Sequence, residues 1–347
     1  MKNIGRKFSR AIRNLTGSSS SRSSSHRSST PTPSFTHHDE QAESQAPEEQ
    51  VEQLEEEAPD DSHIDLRGER EHQDYNILKG RTFNHTWEFD EDLLEKTGMD
   101  TELASVWKAV GWSSFAEISE TGSRDLTIQF LCTLVETDMG VSFRFFGNEF
   151  VMSWRDLSTV LGFHHKCSAD VELVTRGNHK ESFWHSISGL NMYTQPHCND
   201  IQHPTLHLMH KLLALTCFPR EDVQTVCVDE LRILYAMVNK IKIAPVQEMV
   251  RQWLGNFRTV GPVECTSLVT RIATSLGVLN WAQITYISSP CPKIDLDYLV
   301  QGHTLKSAPD GSLIFFFPGY VNEIPLPNPG LRLYKSHGYT FEFVDTP

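Results

Sequence analysis

The sequence predicts a mainly α fold with small β hairpins, an α+β body that follows an unstructured N-terminal arm. Three observations lead there. Apolar residues recur at i, i+3, i+4 and i+7 through much of the second half of the chain. Gly-Asn and Asp-Gly pairs sit between short alternating runs at 141–153 and near 310. Large apolar side chains are almost missing before residue 80 and frequent after it.

Charge divides the chain in the same way. The formal net charge is −14 over 347 residues. Residues 1–38 nevertheless carry only basic charges, on Lys2, Arg6, Lys7, Arg10, Arg13, Arg22 and Arg27. Their opening "MKNIGRKFSRAIRNL" sets Ile4, Phe8, Ala11, Ile12 and Leu15 at helical spacing, ahead of "SSSSRSSSHRSSTPTPS". An organellar transit segment and a basic arm for nucleic acid or nuclear import both fit, and a solvated tail is the plain alternative. The expected compartment is nucleus or cytoplasm, or plastid or mitochondrion if the segment is a transit peptide. Residues 39–80, with runs such as "EEQVEQLEEE", read as an acidic linker, and 81–347 as the folded domain. An acidic body cannot gather phosphates at long range. Nucleic-acid binding is therefore expected only from the basic arm, weak and sequence-independent.

The seven cysteines have no secretory segment before them, so reduced thiols packed as small apolar groups are expected. No apolar run approaches the roughly 18 residues of a membrane span. The chain reads as soluble.

The elements follow in order. Asp90 suits the cap of a short helix ended by Gly98, and Asp100 that of a second ended by Gly111, with Leu103, Val106, Trp107 and Val110 on one face. "RDLTIQFLCTLVET" has Leu126, Phe130, Leu131 and Leu134 at helical spacing, with a strand as the alternative because Thr127 and Ile128 dilute the pattern. In "VSFRFFGNEFVMSWRDLSTVLGF" a hairpin turning at Gly147-Asn148 precedes a helix opened by Ser153 and Asp156 and closed by Gly162. Asp229 can cap "ELRILYAMVNK". Pro245 opens a helix with Val246, Met249, Val250, Trp253 and Leu254 as its stripe. "TSLVTRIATSLG" turns Leu268, Val269, Ile272, Ala273 and Leu276 inward. Beyond Pro290 short β segments are expected, with a hairpin at Asp310-Gly311 and a loop at "IPLPNPG".

"HPTLHLMHKLL" raises the question of chemistry. Pro204 suits a first helical position, which makes His203 the cap. At about 100° per residue, His207, His210 and Lys211 share one narrow polar face, and Leu206, Leu208, Met209, Leu212, Leu213 and Leu215 fill the other arc. Zinc would need further ligands. Cys198 and the "HHKC" element (His164, His165, Cys167) could supply them only if the fold carried them in, and Lys211 discourages a cation. The favoured reading is a solvated face, with no metal and no cofactor. No C-x-x-C pair, H-E-x-x-H, G-x-S-x-G, P-loop or G-x-G-x-x-G motif is present, so no catalytic residue is singled out.

"HPTLHLMHKLLALTCFPRED", "VCVDELRILYAMVNKIKIAPVQEMV" and "SLVTRIATSLGVL", in that order, resemble the C-terminal domain of the first open-reading-frame protein of Athila-type plant retrotransposons. "FGNEFVMSWRDLSTVLGF" fits the same family and is similar to the plant mobile domain. The resemblance spans roughly residues 82 to 347 and rests on packing signatures. It implies a gag-region or adjacent protein of a Ty3-like element, or the product of a host gene derived from one, with His203 and His210 as cap and helix-surface residues. The chain differs from a full gag polyprotein in lacking a zinc knuckle. The expected function is that of a non-enzymatic structural or interaction module, with unidentified protein partners or self-association and no membrane contact. An organelle-imported binding protein, or a cryptic Cys/His or zinc-dependent hydrolase, are the alternatives.

Overall fold

The computed structural model describes residues 61–192, 195–280, 284–316, 323–328 and 332–334; the basic N-terminal stretch lies outside them. The body is mainly α with small sheets, as its sequence pattern requires.

Part of the stretch read as acidic linker is folded. Helix α1 (Gly68–Leu78) buries Leu78 completely. Its Glu71 receives the guanidinium of the buried Arg144, and Asp61 holds Arg124 at 2.5 Å and the Tyr75 hydroxyl at 2.6 Å. These carboxylates are counter-ions to arginines of the body, and composition alone could not separate them from solvated charge.

A two-residue strand β1 (Glu88–Phe89) leads into α2 (Glu91–Thr97), where the Asp90 side chain accepts from Leu93 N and Gly98 closes the helix at φ 66°. Helix α3 (Asp100–Val110) ends at Gly111 with φ 83°, but Met99 holds its cap position and Asp100 stands inside the first turn. For 124–137 both expectations apply in sequence. Helix α4 (Arg124–Thr133), capped by Ser123, gives way to strand β2 (Val135–Thr137).

Strand β2 pairs with β3 (Gly140–Phe145), and β3 with β4 (Asn148–Ser153), all antiparallel. Phe145 faces Asn148, so the turn is Phe146-Gly147, one residue earlier than expected, with φ 46° and 85°. A bulky residue seldom takes positive φ. Alternation fixes the register here, because a slip would expel Val141, Phe143 and Phe145 from the core, and Phe146 accepts the strain. Helix α5 (Trp154–Val160) begins in the expected Ser153/Asp156 capping box.

Helices α6 (Val171–Val174) and α7 (Lys180–Ser188) precede α8 (Pro204–Leu212), which runs on into a π-helical turn at Leu213–Cys217. Cys227 and Glu230 form the box that opens α9 (Val228–Val238); Asp229 lies within its first turn. Helices α10 (Val246–Gly255) and α11 (Thr266–Ser275) bury the expected stripes, except that Leu254 and Leu276 are half-buried. Pro245 is the residue before α10 rather than its first.

Strand β5 (Lys293–Ile294) pairs in parallel with β1, and α12 (Leu296–Gln301) follows. The last sheet orders β6 (Leu305–Ser307), β7 (Leu313–Phe316) and β8 (Glu323–Leu326), with Gly311 in the β6–β7 turn at φ 83°. Ile324, Pro325 and Leu326, read as loop, therefore belong to a strand. It is an edge strand, where the missing N–H of Pro325 is tolerated. One core joins these parts. Phe130 packs on Phe143, Phe145 and Trp253 at centroid separations of 4.9, 5.9 and 5.9 Å. Buried Trp112, Phe115 and Phe163 form a second aromatic group.

Candidate functional site

A group of buried ionisable side chains is built on the histidine helix, α8. His203 caps it as expected, its Nδ1 accepting from Thr205 N at 3.2 Å, and Pro204 takes the first position. The solvated face does not exist. His207, His210 and Lys211 are 1%, 0% and 2% exposed, because α9, the 218–227 loop and β7 enclose the side of α8 that the helical wheel left polar.

Glu230 of α9 organises this interior. It accepts from His210 Nε2 at 3.2 Å, from Arg220 at 2.5 and 3.0 Å, and from the Cys227 backbone N–H at 2.7 Å. Burial alone would raise its pKa, but the hydrogen bonds from His210 and Arg220 outweigh that and hold it below the usual carboxylate range. Arg220 also donates to the carbonyls of Asp222 and Thr225, so one guanidinium ties the loop after α8 to the start of α9.

Next to this hub the Lys211 ammonium lies beside Cys198, whose thiol donates to Gln224 Oε1 at 2.7 Å. His207 sets its ring edge-on to Phe315 at 5.3 Å. Neither ring nitrogen of His207 makes a hydrogen bond of good geometry, the Ile201 backbone being a weak polar neighbour. Burial, together with the charge of Lys211, pushes its pKa well down, so the imidazole is neutral.

The fold brings Cys198 to the histidine helix but not the "HHKC" element, which packs on the end of α3. There the Cys167 thiol donates to the Val110 carbonyl at 3.3 Å, and burial raises its pKa to about 11. The same direction holds at every cysteine: burial pushes up Cys132, Cys198, Cys217, Cys265 and Cys291, and partial desolvation, then Glu230, push up Cys227, which is otherwise exposed. Thiols so placed are poor nucleophiles at neutral pH. Among the described residues, no group of three or more His, Cys, Asp or Glu side chains is placed to hold a metal ion. None of the helices described is long and apolar enough to cross a membrane.

Sequence reasoning missed Glu230 and Arg220. The first had a signal in the C-x-x-E spacing of a capping box, obscured by the better-known capping residue Asp229. Arg220 had none. A further buried histidine, His85, accepts from Gly122 N at 2.9 Å and donates to the Ser289 carbonyl at 3.0 Å, fastening two loops.

The model of the ATHILA ORF-1 family matches residues 21–242. The chain belongs to the ATHILA ORF-1 family. This is a retrotransposon-type protein, and the match contains the histidine helix and most of the Glu230 hub's surroundings. The match starts earlier than the resemblance read from the sequence, taking in the Ser-rich and acidic stretches. It also ends earlier, before α10 and the "SLVTRIATSLG" helix. No curated protein and no solved structure matches the chain.

Proposed function

We propose that this Athila-type protein is a non-enzymatic interaction module. It works through protein contacts or self-association, with weak, sequence-independent nucleic-acid binding through the basic residues before Asp39. The observation that carries the reading is how the buried ionisable groups are used. Glu230 has its donors supplied by Arg220, His210 and a backbone N–H, and the thiols are held protonated by burial. Groups so committed position loops and helices, whereas a nucleophile needs a lowered pKa and an open approach.

The competing reading is a cysteine hydrolase built on Cys198 and Lys211. Iodoacetamide labelling of the full chain at neutral pH, followed by peptide mapping, separates the two. Alkylation of all cysteines slower than that of a free thiol is expected. Rapid, stoichiometric labelling of Cys198 alone would favour the enzyme.

A further inference from the structure

Net charge is a sum, and the fold redistributes it. Arg155 on α5, the loop residues His164, His165 and Lys166, and Lys242 before α10 come from separate parts of the sequence and meet on one face of the body. An open recess of about 560 Å³ is lined by Arg155, His165, Lys166, Cys167, Ser168 and Ala169. Lys242 joins it through its backbone, whose carbonyl accepts from Ser168 N at 3.1 Å, while its ammonium reaches the Ala109 carbonyl at 3.3 Å. Among the described residues none of Arg155, Lys166 and Lys242 is ion-paired with a carboxylate. The acids next to them in sequence make helix-start hydrogen bonds: Asp156, third in the capping box, accepts from the Ser153 hydroxyl at 2.7 Å, and Asp170, the cap of α6, from Leu173 N at 2.7 Å. Partial desolvation first, then the neighbouring His165, Lys242 and Lys166, lower the pKa of His164.

The two exposed imidazoles add a second property. His164 and His165 stack at 4.1 Å and are both exposed, next to Lys166. We infer that this recess is a binding site for single-stranded nucleic acid, with Arg155 and Lys166 taking phosphates and the histidine pair stacking on a base. Cations next to stacking surfaces are the physical requirement for holding an unpaired strand. A duplex keeps its bases stacked internally and offers the imidazoles nothing. An acidic peptide would use the cations alone. The site goes beyond the basic-arm reading and can fail independently of it.

The test uses the full chain and a 4-thiouridine-containing oligonucleotide. Photo-crosslinking and peptide mapping should place adducts within residues 164–169 as well as any in the arm. For single strands, log affinity falls with log salt by about 0.7 per phosphate contact. Replacing Arg155→Gln and Lys166→Gln together should therefore lower that slope by about 1.4, and His164→Ala with His165→Ala should weaken binding while leaving the slope nearly unchanged. All four positions are exposed, so an unchanged melting curve checks that the variants fold. Crosslinks confined to residues 1–38, with an unchanged slope in the Arg155/Lys166 variant, would overturn the site and leave the arm reading standing. Equal competition by duplex of the same charge, or loss of slope without any contribution from the histidines, would overturn the single-strand assignment.

Discussion

Two short stretches of this protein are written in histidine, and the fold treats them in opposite ways. "HPTLHLMHKLL" spaces its histidines as a helix surface would, yet His207 and His210 are buried and serve packing and an internal hydrogen bond to Glu230. "FHHKC" places its histidines side by side in a loop, and there His164 and His165 stand exposed, stacked on one another and followed by the exposed Lys166. Helical spacing specifies which residues share a face, but which face meets solvent depends on what the rest of the chain lays against it. The solvated face read from the spacing of α8 is therefore overturned by what packs against it. The polar stripe of α8 is the interior, and the loop that carries the HHKC element is the surface.

The largest effect should come from the acid that makes the α8 stretch an interior. Glu230→Gln removes the charge facing Arg220 and His210 at a site with 1% side-chain exposure. Breaking a buried pair by removing one partner costs about 3–5 kcal/mol, because the other charge is left uncompensated. Urea unfolding should show a loss in that range. A loss below about 1 kcal/mol would mean that water reaches the hub, and the contrast between the two stretches would collapse.

His210→Ala should come next, at roughly 2–4 kcal/mol, from a cavity in a fully buried position and one lost donor to Glu230. A solvated face would put the same change within about 0.5 kcal/mol, so the measurement decides between the two descriptions of α8.

The pH dependence should separate the stretches again, more gently. His207 is neutral in the folded state because its pKa is depressed below the ordinary 6.5. Between its folded and unfolded values the unfolded chain binds the extra proton, so stability rises with pH there. The contribution is fully present above about pH 6.5 and is lost as pH falls below it. His207→Leu, close in volume and packed on Phe315, should change stability by less than about 1.5 kcal/mol at pH 8. It should flatten the decline between pH 6.5 and 5. An unchanged pH profile would show that His207 does not titrate with folding.

How much of this was legible follows from the range of the interactions. Features set within four residues were readable: the Asp90 cap and Gly98 stop, the Ser153/Asp156 box, Pro204 behind His203, and the α11 stripe. The Phe146-Gly147 turn slipped by one because core alternation outweighed turn chemistry. Glu71–Arg144 and Asp61–Arg124 span more than sixty residues, and nothing local to "DSHIDLRGERE" distinguishes a counter-ion from linker charge. The Arg155, His164–Lys166 and Lys242 recess is likewise invisible in a total charge of −14.

The smallest expected change is the most informative about the loop. His164→Gln with His165→Gln alters two exposed rings that stack on one another at 4.1 Å. The His164 ring nitrogen accepts from Lys166 N at 3.1 Å, a bond that a glutamine carbonyl can replace in part. Exposed substitutions away from the core usually stay within about 0.5 kcal/mol, so the melting temperature should barely move. In α8 a single histidine replacement is expected to cost several times as much. If the loop pair instead proved as costly as His210, its rings would be supporting the end of α3 rather than facing a ligand. Exposure would then have been a poor guide on this side of the molecule, as helical spacing was on the other.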